Sequence, residues 1–138
     1  MSLSYHCPNC DSLLNPNVRV VLIARYGEKQ GIVLMSSKPG DYQVICDKGL
    51  CHDVAKGDVV DFSCPVCHGS LTSESHDHFA ELKVVNSQKE GHEPCLLRFS
   101  RVSEEHATFL YDGDSVKEFG EEAGLFSKEM TIEGDWGW

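Results

Sequence analysis

The sequence is poor in basic residues and contains no long apolar run. Twelve Lys and Arg stand against 22 Asp and Glu, which gives a formal net charge of −10. A phosphate backbone would be repelled by this charge and no basic cluster opposes it, so the charge disfavours nucleic acid as a partner. No apolar run approaches the roughly 18 residues that a membrane span requires, and we expect no membrane association.

The usual catalytic and targeting motifs are also missing. The sequence has no Gly-rich phosphate loop, Gly-x-Ser-x-Gly elbow or His-Glu-x-x-His motif, which favours a protein without catalytic activity. Residues 1–4 lack a basic region followed by an apolar one, so no secretory signal is predicted. We therefore expect a cytoplasmic protein with reduced thiols, in which spaced cysteine pairs indicate metal ligands before disulfides.

Two short stretches repeat one pattern, and we call them the first and the second knuckle. Residues 5–14 read YHCPNCDSLL and residues 62–71 read FSCPVCHGSL. In each, an aromatic residue precedes Cys-Pro-x-Cys, and a tight turn of this kind directs two sulfurs at one ion. Two such turns complete a tetrahedral site with zinc–sulfur distances of about 2.3 Å. The predicted metal ligands are Cys7, Cys10, Cys64 and Cys67.

The two Cys-Pro-x-Cys turns and their flanking aromatic and Leu residues resemble the metal knuckles of zinc-ribbon and rubredoxin-like proteins. The resemblance covers about 20 of the 138 residues and implies a structural zinc, or alternatively a rubredoxin-like iron centre that transfers electrons. Asp11 and His68 stand where these families usually have Gly. The 53 residues between Cys10 and Cys64 exceed the usual ribbon spacing of roughly 15–20, which predicts an inserted β-meander.

A second cysteine pair leaves the grouping of ligands open. Cys46 and Cys51 would face each other across a hairpin if the intervening Lys-Gly forms a tight turn. With His52 beside Cys51, the pair could then complete a site with Cys7 and Cys10. Cys64 and Cys67 would in that case find other partners such as His76 or His78. Alternatively, Cys46 and Cys51 could form a cross-strand disulfide. Small buried side chains near a turn are the remaining interpretation.

Histidines offer an alternative of a different class. His76 and His78 would share one face of an extended segment, and with His68 they could form an open three-His site of catalytic type. In that case the protein would be a metal-dependent enzyme, or a thiol enzyme if Cys46 and Cys51 carry the chemistry. Solvated histidines in a polar linker are the simpler interpretation.

Alternating apolar residues and frequent Gly and Pro turns predict a mainly β fold without an amphipathic helix. In the first half, strands are predicted at residues 18–26, 32–36, 42–47 and 59–62. In the second half, inward faces are predicted for three groups: Ala80, Leu82 and Val84; Cys95, Leu97 and Phe99; and Ala107, Phe109 and Tyr111.

These patterns predict three parts: a zinc-knuckle β module with inserted strands at residues 1–72, an antiparallel β-sheet or barrel-like module at 73–120, and an acidic tail at 121–138 that ends in Trp136 and Trp138. With a closed thiolate site and acidic charge, the expected function is a structural-zinc protein that acts as a protein-interaction or regulatory module. A nucleic-acid role would require Arg19, Arg25, Lys29, Arg98 and Arg101 to form one basic face.

Overall fold

A computed structural model describes residues 3–16, 19–46, 48–51, 54–86, 95–112 and 115–127. The chain is mainly β, as the sequence predicts, and its strands form two open antiparallel sheets. Of the two alternatives for the second half, the sheet is confirmed and the barrel is not. No helix within the described ranges has the length and apolar character needed to span a membrane.

Sheet A has five strands in the order β1-β6-β7-β8-β9. Its strands are β1 (Leu3–His6), β6 (Phe79–Asn86), β7 (Cys95–Ser100), β8 (Thr108–Asp112) and β9 (Ser115–Phe119). The N-terminal strand β1 pairs with β6, so it belongs to the sheet that the second half of the chain builds.

Sheet B has four strands in the order β4-β3-β2-β5. Its strands are β2 (Val20–Tyr26), β3 (Lys29–Met35), β4 (Val44–Cys46) and β5 (Asp61–Ser63). All four overlap the predicted strand segments, although β3 begins at Lys29 rather than at Ile32. In β2, buried residues alternate with half-buried ones up to Ala24, because only one face of sheet B meets sheet A.

The main hydrophobic core lies between the sheets. Leu22 and Ala24 of β2 belong to the same buried cluster as Leu82 of β6 and Leu97 of β7. The ring of Phe62, in the middle of β5, contacts that of Phe99 on sheet A edge to face, with centroids 5.3 Å apart. Burial of two alternating faces against each other is what the period-2 pattern predicts.

The inward face predicted for Ala107, Phe109 and Tyr111 is buried on the other side of sheet A. These residues form a second cluster with Phe79, which Ala123 of a 3₁₀ helix (Ala123–Leu125) and Phe126 help to cover. An alternating pattern identifies an apolar face but not the layer that covers it, so the sequence could not distinguish the two sides of the sheet.

The predicted hairpin between Cys46 and Cys51 is absent. A short helix, α1 (Lys48–Cys51), occupies this position, and it places Leu50 in the main core. Burial of one Leu side chain favours the helical turn over a solvent-exposed hairpin.

The division of the chain into three parts at residues 72 and 120 remains a prediction. The sheets divide the chain differently, because β1 joins the second-half strands. Most of the acidic tail, including Trp136 and Trp138, lies outside the described residues.

Candidate metal centre

The first knuckle is a closed turn held by its own backbone. The Cys7 amide donates to the Ser12 carbonyl at 3.0 Å, and the Asp11 amide donates to the Cys7 carbonyl at 2.8 Å. A further bond from the Leu14 amide to the Tyr5 carbonyl, 2.7 Å, closes the base of the turn. Cys7 and Cys10 therefore project from a loop with few free torsions.

The second knuckle repeats this hydrogen-bond pattern residue for residue. The Cys64 amide donates to the Gly69 carbonyl at 3.0 Å, the His68 amide to the Cys64 carbonyl at 2.9 Å, and the Leu71 amide to the Phe62 carbonyl at 2.9 Å. The sequence repeat of residues 5–14 in 62–71 is thus also a repeat of conformation.

Asp11 and His68 occupy the left-handed region of the backbone, with φ of 64° and 63°. Gly adopts positive φ without a steric penalty and would be the usual residue for this conformation. Asp and His occur in this region more often than most other residues. Both knuckles therefore form the same turn without Gly at this position.

The four predicted ligands converge. Their Sγ atoms all lie within 4.8 Å of one another. Across the knuckles, Cys7 Sγ is 3.8 Å from Cys67 Sγ, and Cys10 Sγ is 3.7 Å from Cys64 Sγ. Four sulfurs at about 2.3 Å from a tetrahedral metal ion are about 3.8 Å apart, whereas a disulfide would require about 2.05 Å. The spacing fits a metal ion and excludes disulfides among these four thiols.

Backbone amides point at the sulfurs, as a site for thiolates requires. The Asn9 amide donates to Cys7 Sγ and the Val66 amide to Cys64 Sγ, both at 3.3 Å, and the Gly69 amide donates to Cys67 Sγ at 3.4 Å. Such bonds offset the negative charge that four thiolates concentrate in one place.

The site has a buried and an exposed half. Cys7 and Cys64 are fully buried, and Cys10 and Cys67 are exposed. Burial raises the pKa of the Cys7 thiol to about 12. Hydrogen bonding with the Ser12 side chain, whose Oγ lies 3.1 Å from Cys10 Sγ, lowers the pKa of the Cys10 thiol to about 6. A bound cation would favour the thiolate form of both residues.

Side chains outside the cysteines fix the knuckles in place. Asn9 Nδ2 in the first knuckle donates to the Ser70 carbonyl in the second at 3.2 Å. Lys83 Nζ, on β6, lies 2.6 Å from Asp11 Oδ1 and holds the pKa of that carboxyl below its usual range. Neither Asn9 nor Lys83 is among the residues predicted for the site. Asn9 stands where the second knuckle has Val66, so the repeat does not indicate it, and Lys83 is 72 positions from its partner Asp11.

The site joins the two sheets. β1 of sheet A runs directly into Cys7, and β5 of sheet B runs directly into Cys64. β1 and β5 are both edge strands, so an ion at the four cysteines would connect one edge of each layer. This geometry agrees with the inserted strands predicted from the long spacing between the knuckles.

Cys46 is not part of this group, because it is disulfide-bonded. The convergence of the knuckles favours their joint site over the regrouping with Cys46 and Cys51. The side chain of Cys51 and all of His52 lie outside the described residues. Cys95 is not in a disulfide and packs against the main core, which agrees with its predicted position on the inward face.

The three candidate histidines of the enzyme alternative have separate environments. His68 is exposed at the second knuckle, His76 Nδ1 lies 3.0 Å from Ser75 Oγ, and His78 Nε2 lies 2.6 Å from Glu105 Oε1. Among the described residues, the four cysteines form the one group of three or more His, Cys, Asp or Glu side chains whose ligand atoms converge.

The basic residues that a nucleic-acid surface would need are partly engaged elsewhere. Arg98 is buried, its Nε lies 3.1 Å from Glu81 Oε1, and its guanidinium lies over the Tyr111 ring. Arg101 pairs with Asp61. Neither guanidinium is presented freely on the surface.

No family model, curated protein or solved structure matches the chain. We therefore infer the function from the geometry of the four-cysteine centre and its place in the fold.

Proposed function

We propose that this protein binds one zinc ion at Cys7, Cys10, Cys64 and Cys67, and that the ion stabilises the arrangement of the two sheets. The spacing of the four Sγ atoms within 4.8 Å carries this proposal. Four thiolates fill all positions of tetrahedral zinc and leave none for substrate, which is typical of a structural site. The zinc-ribbon resemblance of the two knuckles supports the same assignment.

The test is elemental analysis of the purified protein, with single Cys→Ser variants. We expect one zinc per chain, and loss of that zinc in Cys10→Ser and in Cys67→Ser, whose exposed side chains minimise direct damage to the core. Cys95→Ser is the matched control because the Cys95 thiol is not in a disulfide and is not part of the four-cysteine group. Full zinc content in both knuckle variants would refute the assignment.

A rubredoxin-like iron centre is the second candidate. One observation favours it: Cys10 and Cys67 are exposed, so a redox metal would have ligands at the surface through which electrons could pass. Aerobically purified protein with iron would be red and would bleach on reduction. Colourless protein with stoichiometric zinc, expressed in medium supplied with both metals, would reject this candidate.

The proposed biological role is that of a protein-interaction or regulatory module in the cytoplasm. The net charge of −10 supports a basic protein surface as partner, because opposite charge accelerates association and orients the partners. Affinity capture from cells, followed by binding of the purified partner, tests this role. The interaction should weaken as salt rises, and turnover in a substrate screen without any partner would contradict it.

The proposed compartment has its own test. Among the described residues, five cysteines are outside any disulfide, whereas Cys46 is disulfide-bonded. Alkylation of thiols in intact cells before lysis, followed by mass spectrometry, should show Cys10, Cys67 and Cys95 reduced. Oxidation of Cys95 throughout the population would contradict a cytoplasmic location.

A further inference from the structure

A cavity of about 410 Å³ lies between the two sheets. Its floor is apolar and comes from both layers, with Val33 of sheet B opposite Leu82 and Leu97 of sheet A, and with Tyr5 at the side of the metal centre. These four residues are buried.

The cavity opens to solvent between two loops. One loop, residues 36–43, connects β3 to β4 in sheet B, and the other, residues 101–107, connects β7 to β8 in sheet A. Lining residues on these loops, including Lys38, Asp41 and Glu104, are exposed. A small molecule can therefore reach the apolar floor from solvent.

The mouth is braced by Tyr42. Its ring stacks on the His106 ring, with centroids 4.3 Å apart and planes within 6°. Its hydroxyl donates to the Phe119 carbonyl at the end of β9, 3.1 Å, and lies 2.8 Å from Thr108 Oγ1. Tyr42 thus fastens sheet B to sheet A at the edges opposite those joined by the metal centre, and the space between is preformed.

The volume bounds the size of the occupant. A dry apolar cavity of about 150 Å³ accommodates one benzene molecule, and ligand sites in proteins begin at about 300 Å³. The cavity found here therefore has room for a molecule of about two or three rings.

The lining bounds the chemistry of the occupant. Aromatic rings occur at the floor and at the mouth, from Tyr5, Phe62 and Phe99 to Tyr42. Phe62 and Phe99 present edge and face from opposite sheets, an arrangement that suits contact with another aromatic ring.

Two charged side chains in the lining already have partners. Arg101 binds Asp61, and Glu105 accepts a hydrogen bond from Ser100 Oγ at 2.5 Å and lies 2.6 Å from His78 Nε2. The other charged lining residues, Lys38, Asp41 and Glu104, are exposed at the mouth. A charged ligand that reached the apolar floor would therefore lose hydration without meeting an opposite charge there, which favours a neutral ligand.

We propose that this cavity is a binding site for one neutral, predominantly aromatic small molecule of two or three rings. The site is separate from the metal centre and gives the protein a ligand-binding activity in addition to its proposed structural metal. The molecule enters between the loop of residues 36–43 and the loop of residues 101–107, and once bound it contacts both sheets.

The test uses the metal-loaded full chain and the neutral fluorescent probe N-phenyl-1-naphthylamine. We expect saturable binding of one probe per chain, with a blue-shifted emission. Ala24→Leu places a larger side chain in the lining and should lower the affinity of the folded protein at least about tenfold, because the added atoms occupy the space of the ligand. Val33→Phe, at a second lining position, should act in the same direction.

Ala80→Leu is the matched control, because Ala80 is equally buried in the same core but lies outside the cavity lining. It should lower the melting temperature by overpacking and leave the probe affinity of the folded protein unchanged within about threefold. Absence of saturable binding, or binding that survives in both Ala24→Leu and Val33→Phe, would overturn the site. Tighter binding of naphthalene-1-sulfonate or 1-naphthylmethylammonium than of naphthalene would overturn the assigned ligand class.

Discussion

Cys10 Sγ lies 3.7 Å from Cys64 Sγ, although 54 positions separate the two residues in the sequence. Cys10 follows the edge strand of sheet A and Cys64 follows the edge strand of sheet B. The contact therefore spans two layers, and an ion bound there acts as a crosslink between them. The effects of removing the ion follow from this position.

Metal removal should destabilise the junction of the sheets before it affects the far edge of sheet A. Binding free energies of structural zinc are large enough that we expect chelation to cost several kcal/mol of unfolding free energy, about 3 or more. Hydrogen exchange should accelerate in β1 and β5 more than in β8, which contacts neither knuckle through its strand pairs. Equal acceleration in all strands would indicate global unfolding and contradict a local crosslink.

Zinc binding should release protons, and the number should depend on pH. At pH 7 the Cys7 thiol is protonated, because burial raises its pKa to about 12, whereas Cys10, with a pKa of about 6, is mostly thiolate. As pH falls from 7 to 5, Cys10 takes up its proton, so zinc must displace about one more proton and binds more weakly. Calorimetry of zinc binding in two buffers of different ionisation enthalpy measures the number of protons released and the affinity for zinc at each pH. A proton release that falls between pH 7 and pH 5 would contradict the assignment.

Glycine should be favourable at the positive-φ position of the second knuckle. His68→Gly removes the steric cost of an L side chain at φ 63° and loses only an exposed imidazole, so we expect stabilisation of about 1 kcal/mol. His68→Ala is the control and should give no gain, because it keeps the Cβ. Urea unfolding of the zinc-loaded protein measures the difference.

At the first knuckle, substitution by Gly should stabilise the protein less than at the second. Asp11→Gly relieves φ of 64° but removes the carboxylate that lies 2.6 Å from Lys83 Nζ. We expect a smaller gain than for His68→Gly in the same urea unfolding measurement, since the two effects oppose each other. An equal or larger gain would show that the Asp11–Lys83 pair does not hold the knuckle against β6.

Gly120 should be intolerant of any side chain. Its φ is 99°, and a Cβ would overlap the His106 carbonyl and lie 2.5 Å from Tyr42 Oη. Gly120→Ala should therefore cost about 3 kcal/mol, and it should also disturb the Tyr42 brace at the cavity mouth. Gly27→Ala is the matched control: φ is 62° but the space is open, so the cost should be about 1 kcal/mol. Equal melting temperatures for the two variants would contradict the packing of this loop.

Much of the fold was predictable because it depends on local patterns. Alternation placed Leu82 and Leu97 on one buried face, and Gly and Pro turns separated the strands, as the structure confirms. Prediction from the sequence failed where a contact with residues distant in the sequence determines the secondary structure. β1 precedes a knuckle and has no strand pattern of its own; pairing with β6, 80 residues away in the sequence, makes it a strand. Similarly, burial of Leu50 in the core converts the expected hairpin into α1.

The candidate site divides in the same way. Cys-Pro-x-Cys and its flanking residues determine each knuckle by themselves, because the turn closes through hydrogen bonds within ten residues. The sequence by itself therefore determined two Cys-Pro-x-Cys turns, an acidic charge and a mainly β chain. Only the tertiary structure decided that both turns meet, that Cys46 is disulfide-bonded, and that a cavity opens between the layers. These properties depend on which sheet each strand joins and on how the two faces pack, and a local pattern does not specify either.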